Sequence, residues 1–360
     1  MLLDPTGLAL LVVAGAILIV VIFFFAYFNT LMLIAGFTYP NAKIKAVGAP
    51  FVAKERLRKL AESGTKEELV DALRAGGYAI SSGESEDMER AILRENMEIL
   101  KSTLFSLPKG AKPFFEAYML KYDAEAVKRV IRAKKAGKKP DLDAIPTYSL
   151  DRRVLEEMAE ASTVEDAKNA LHGTIFSKAA GEGGDFSFES ALDRIVFQKI
   201  SESVFSVDGD IAKKLGVFTG VLTDLMNIKI VLRGKRLGLK GDDILSNILG
   251  EGRDVAEWRL KNMAESEDVS SAISELSGTP YSDVLKGIST VEQAEKALDE
   301  YLLRRAHQLA MESSLDIGPA IHFFVAKEAE LRNLMALNIA IENGLSWDYI
   351  EDIVLTEVGE

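Results

Sequence analysis

Three separated stretches of the chain repeat one another without a gap: LAESGTKEELVDAL (60–73), MAEASTVEDAKNAL (158–171) and MAESEDVSSAISEL (263–276). The copies are offset by 98 residues (Leu73 to Leu171) and by 105 (Leu171 to Leu276). Each carries a capping residue at the same place, Thr65, Thr163 and Asp268, followed three residues on by Glu68, Asp166 and Ser271. An oxygen at that place accepts from the orphan N–H groups of a first helical turn, and Thr65 with Glu68 completes a capping box. Leu69/Ala167/Ala272 and Leu73/Leu171/Leu276 lie four apart, so each helix presents one apolar stripe. A second set, YDAEAVKRVIRAKKAG (122–137), TDLMNIKIVLRGKRLG (223–238) and AELRNLMALNIAIENG (329–344), aligns at offsets of about 101 and 106. In it Asp123, Asp224 and Glu330 coincide, as do Gly137, Gly238 and Gly344. These segments read as long amphipathic helices stopped by a C′ glycine, where positive φ costs least.

Further helical stretches lie between the halves at 87–103, 187–202 and 290–306, the last opened by a capping box at Thr290. Strand signals are sparse after residue 40. The chain is therefore expected to be all-α, with helical repeats at 38–145, 146–248 and 249–360. Linker chemistry sits at roughly 141–148 and 245–252, in GKKPDLDAIP and GEGRD. The period is far longer than the roughly 34–47 residues of common helical solenoids. Three copies of a domain suggest a closed pseudo-threefold arrangement with an axial depression, and a row of three units is the alternative.

Ahead of the repeats, GLALLVVAGAILIVVIFFFAYF (Gly7–Phe28) runs for twenty-two residues without a charge. As a helix it spans about 33 Å, close to the roughly 30 Å hydrocarbon core of a bilayer. It has no polar face, as a soluble core helix would. The residues before it lack the basic flank of a signal peptide, because Asp4 is the only charge before Lys43. A transmembrane helix over 1–37 is expected, with Leu8, Val12, Ile19, Phe24 and Phe28 facing lipid; a buried hairpin and a cleaved signal are the alternatives. Lys43, Lys45, Lys54, Arg56, Arg58 and Lys59 all follow it, which places the N-terminus outside and the bulk of the chain on the cytoplasmic face of the cell membrane.

The net charge of −12 argues against wrapping nucleic acid, and the lack of cysteine excludes disulfides and thiolate chemistry. No G-x-x-x-x-G-K-[ST] loop is present. GEGGDF (181–186) has no strand before it and reads as an interhelical loop. His172 sits at a helix end; His307 and His322 lack metal-ligand spacing and read as solvated or satisfied helix positions. No catalytic, cofactor or metal constellation is expected, so the chain does not read as an enzyme. Basic residues cluster at two equivalent helix ends: Lys128, Arg129, Arg132 and Lys135 on one, Lys229, Arg233, Lys235 and Arg236 on the other. Cations there complement a helix dipole. On an acidic chain they also offer a docking surface for an acidic partner or anionic lipid.

The entry YPNAKIKAVGAPFV (39–52) resembles the start of the C subunit of archaeal-type (A/V-type) rotary ATPases, which is similar to the d subunit of eukaryotic V-type pumps. SALDRIVFQKI (190–200), NIKIVLRGKRLGL (227–239) and IGPAIHFFVAKEAELRNL (317–334) extend the resemblance over about 38–356. It implies a funnel of three similar helical domains, present as a single copy per complex. The narrow side would sit on the membrane proteolipid ring, and the mouth would receive the central-stalk subunits. The protein would be non-catalytic, passing torque between the ATP-handling head and the ring during ion-driven ATP synthesis. Two features depart from the pattern: Met335 and Ile339 stand where the second repeat has Lys229 and Arg233, and the N-terminal helix lies outside it. The repeats and the helix alone would support only a membrane-anchored helical adaptor unrelated to ATPases.

Overall fold

The computed structural model describes residues 5–63, 65–80, 88–207 and 209–357, and among these there are helices and no strand. The chain begins with α1 (Pro5–Val47), followed by α2 (Lys54–Ser63), α3 (Lys66–Ala75), α4 (Met88–Ser106) and α5 (Lys112–Lys135). Next come α6 (Arg152–Glu160), α7 (Val164–Asn169), α8 (Asp185–Val204) and α9 (Gly209–Arg236). The remainder is α10 (Gly241–Leu245), α11 (Glu257–Glu265), α12 (Val269–Ser274), α13 (Pro280–Val284), α14 (Val291–Glu312), α15 (Gly318–Asn343) and α16 (Trp347–Ile350).

The repeated punctuation acts as its chemistry dictates. Thr65, Thr163 and Asp268 accept from the N–H groups of Glu68, Asp166 and Ser271 at 3.2, 3.0 and 2.7 Å. Thr290 does the same for Gln293 at 3.3 Å. Gly137, Gly238 and Gly344 end α5, α9 and α15 at φ of 64°, 69° and 63°. The next N–H in each case, on Lys138, Leu239 and Leu345, reaches back five residues to the carbonyls of Ala133, Gly234 and Ala340 at 2.9, 3.0 and 2.8 Å. That reversal closes the last turn in a Schellman motif.

Helix α1 runs unbroken across the expected boundary at residues 37 and 38 and carries Pro40 inside it. Its 43 residues extend about 65 Å. Val12, Ile19, Phe24 and Phe28 are all exposed, while the side chain of Leu8 lies outside the described set. Packing begins where the apolar run ends: Phe37 and Asn41 are buried. Asn41 Nδ2 donates to the Asp316 carbonyl at 3.1 Å, and Lys43 Nζ to that of Ser102 at 2.6 Å. Among the described residues, only Gly209–Arg236 forms a helix long and apolar enough overall to cross a membrane, and most of it is buried inside the protein. It is a core helix.

Six long helices after α1 pack in a closed cycle: α4 on α5, α5 on α8, α8 on α9, α9 on α14, α14 on α15, and α15 back on α4. The short pairs follow the same cycle. Helices α6 and α7 pack on α5, α11 and α12 on α9, and α2 and α3 on α15. Each pair thus rests on a long helix that precedes it in the cycle, and α2 and α3, near the chain start, rest on α15 near its end. A small core of Leu57, Leu69, Leu73, Ile92, Leu334 and Leu337 fills that last joint.

One buried acid marks each joint. Asp123 accepts from the N–H groups of Tyr148 and Ser149 at 2.6 and 3.0 Å and from Ser149 Oγ at 2.7 Å. Asp224 accepts from the N–H groups of Arg253, Asp254 and Val255 and from the Tyr281 hydroxyl. Glu330, the third equivalent, is buried beside Lys327 and the Phe51 N–H. Its neighbour Asn333 donates to the carbonyls of Phe51 and Leu355, both at 2.8 Å.

Candidate functional site

Helices α5, α8, α9, α14 and α15 enclose a cavity of about 840 Å³. Its lining holds cations and carboxylates in near balance, and the pairs are ordered. At the seam between α5 and α8, Lys128 Nζ meets Asp193 at 2.5 Å. One turn on, Arg132 grips Glu189 through two N–H groups at 2.8 and 2.6 Å. Lys135 then pairs with Asp185. The seam between α9 and α14 repeats this ladder: Lys229 with Asp299, Arg233 with Glu295 at 2.5 Å, and Arg236 with Glu292. The cations are the residues expected as a docking surface, spaced at three or four so that they stack along one helix face.

The other two docking candidates are placed differently. Arg129 lines the cavity with Glu125 of its own helix beside it, at 3.7 Å. Lys235 donates to the Ala264 carbonyl at 3.2 Å, and its counterpart Lys134 to the carbonyls of Ala159 and Ala161. Both lysines therefore satisfy the open C-terminal carbonyls of a short helix, α11 or α6. Lys135 and Lys235 fall outside the cavity lining. At the third seam, α15 offers Met335 and Ile339, so the ladder is not threefold. A buried Lys327–Glu330 pair stands there instead.

The electrostatics follow from this pairing. Burial alone would raise the Glu189 carboxyl, but the Arg132 guanidinium holds it below the usual carboxylate range. Burial opposes the charge of Arg233, which its bond to Glu295 raises nonetheless. Such an arrangement locks neighbouring helices rather than moving protons. Because Glu189 is depressed in the folded state, its contribution is full above the ordinary carboxylate range. It fades as pH falls below about 4. Denaturant unfolding of Glu189→Gln against the parent chain should show a stability gap that closes on acidification. At neutral pH, a double-mutant cycle of Lys229→Met and Asp299→Asn should show a coupling of about 1 kcal/mol between the two side chains.

Sequence reasoning locates the cations but not their partners, which lie 50–70 residues away on another helix. It also misses a cluster of His307, His322 and Glu357, whose members come from α14, α15 and the tail after α16.

The sequence model of the ATP synthase (C/AC39) subunit family matches residues 40–353. The chain belongs to that family. The match opens after the uncharged run and spans the whole helix cycle. Its curated relatives include the A-type ATP synthase C subunit of Methanocaldococcus jannaschii, 29% identical over 92% of this chain and 89% of the relative. The corresponding protein of Pyrococcus abyssi is likewise 29% identical, over 88% of this chain and 90% of its own length. That of Methanothermobacter thermautotrophicus is 29% identical over 84% and 83%. Membership makes this chain an accessory subunit of a membrane-associated rotary ATP synthase, working with other subunits of that complex.

Proposed function

We propose that the chain is the non-catalytic rotor subunit that couples the central stalk of an A-type ATP synthase to its membrane proteolipid ring. In this reading the three helical repeats form a funnel, the cavity is its mouth, and one copy serves each complex. The observation that carries the proposal is the closed helix cycle around a cavity whose seams are bonded on every side. A part that transmits torque must not shear between its units, and charge ladders at two seams with a buried polar cluster at the third resist that. Arg129, Arg132, Arg233 and Arg236 line the mouth with partly exposed guanidinium groups. They are the proposed contacts for an acidic shaft end.

Helix α1 is proposed to span the membrane, with the positive flank after it keeping the body in the cytoplasm. Its apolar exposed face has no other evident solvent. A rotating subunit cannot be tied to stationary lipid beside the ring, so α1 is assigned to the ring's central lumen, where it turns with the rotor. Crosslinkers placed at Ile19 or Phe24 should capture the inner face of the ring; capture of stationary membrane subunits would sink that placement. For the main reading, a complex assembled without this chain should hydrolyse ATP in its head yet pump no ions. Pumping that persists without it would overturn the assignment.

A further inference from the structure

We propose that His307, His322 and Glu357 form a binding site for one divalent transition-metal ion of the zinc kind. The three donors come from separate elements: α14 supplies His307, α15 supplies His322, and the extended tail supplies Glu357. Their ligand atoms all lie within 4.8 Å of one another. His322 Nε2 stands 2.5 Å from Glu357 Oε1, and His307 Nδ1 stands 3.4 Å from the same oxygen. The two imidazoles meet edge to face with ring centres 5.0 Å apart. Tetrahedral zinc takes nitrogen and oxygen donors at roughly 2.0–2.2 Å, which separates neighbouring donors by about 3.3 Å. Small side-chain rotations therefore open this triangle around an ion.

Glu357 is placed without help from the histidines. Its own N–H donates to the Val52 carbonyl at 3.1 Å. The preceding Thr356 bonds Glu300 through N–H and hydroxyl at 3.2 and 3.1 Å. Leu355 is held by both ends of the Asn333 amide. His307 is half exposed, which leaves an approach for the ion and a fourth position for water. Two imidazoles and one carboxylate suit zinc, cobalt or nickel and disfavour magnesium, which prefers an all-oxygen shell. A bound ion would pin the tail, which crosses from α15 to the segment that opens the first repeat, and so would close the cycle more tightly.

The test is calorimetric titration of Zn²⁺ into the full-length chain in detergent, purified without a histidine tag and stripped with chelator. One ion per chain is expected, with Co²⁺ giving the visible absorption of a tetrahedral site and Mg²⁺ giving no heat. His307→Ala and His322→Ala should abolish uptake. Glu357→Gln should weaken it by more than the roughly 10–100-fold typical of losing an outer-shell partner. Zinc should raise the melting temperature of the parent and leave that of His322→Ala unmoved. Because Asn333 and Glu300 still hold the tail, all three variants should keep the parent's circular dichroism without metal. Absence of saturable uptake by the parent, or uptake unchanged in Glu357→Gln and either alanine variant, would overturn the site.

Discussion

Glu330→Gln or Lys327→Met alone is expected to destabilise the chain by about 3–5 kcal/mol, whereas Lys327→Met with Glu330→Leu should return it close to the parent. The pair lies on α15, three residues apart, with both side chains about 2% exposed. Lys327 Nζ also donates to the Tyr78 hydroxyl at 2.9 Å, and Asn96 joins that hydroxyl to the Lys327 carbonyl. Burial drives the two groups in opposite directions, Lys327 below its ordinary range and Glu330 above. Each shift disfavours the charged form in the fold, so each charge is a cost that its partner chiefly offsets. Removing one partner strands the other's charge in a buried seam. Removing both leaves a volume that aliphatic side chains fill. Chemical denaturation of the four chains reads out the cycle. A double variant as weak as either single would show that shape, not charge compensation, dominates this joint.

Which parts are legible in the sequence follows from the range of the forces involved. Caps at Thr65, Thr163, Asp268 and Thr290 act over three residues, and the closing glycines over five, so both stand in the sequence and act as expected. The matching of Asp123, Asp224 and Glu330 is visible too, but not its purpose. Their partners are N–H groups 25–31 residues further on for the aspartates and a segment near the chain start for Glu330. No local pattern encodes such a pairing. The cations of α5 and α9 read as a charged surface because their carboxylates sit on other helices. The histidines look ordinary for the same reason: His307 and His322 reach one another only when α14 folds back along α15. Helix α1 shows the opposite case. Its apolar run is plain, yet the helix passes residue 37 because YPNAKIKAV continues the helical pattern, with Phe37 and Asn41 already in the body of the protein.

Asp224→Ala should cost about 3–4 kcal/mol, since it strands several donors in the joint between α9 and the segment that leads into α11, each worth roughly 1–3 kcal/mol when buried and unmet. The carboxylate is fully buried and takes N–H groups from Arg253 at 3.1 Å, Asp254 at 2.7 Å and Val255 at 3.2 Å, with the Tyr281 hydroxyl at 2.9 Å. The chain wraps so closely that a Cβ at Gly252 would lie 2.0 Å from Asp224 Oδ1 and 2.8 Å from its backbone nitrogen. A side-chain rotation cannot relieve the second contact, so Gly252→Ala should destabilise by about 2–3 kcal/mol through the same joint. Acid separates this joint from the ladders. Burial raises the Asp224 carboxyl despite its donors, so falling pH does not remove stability here as it does at Glu189. Neither variant touches a cation of the cavity. If the joint carries torque, complexes bearing Gly252→Ala should bind the shaft normally and hydrolyse ATP while pumping fewer ions per turnover. Unchanged coupling, in a variant whose unfolding confirms the weakened joint, would mean that rotation is transmitted without stiffness at this joint.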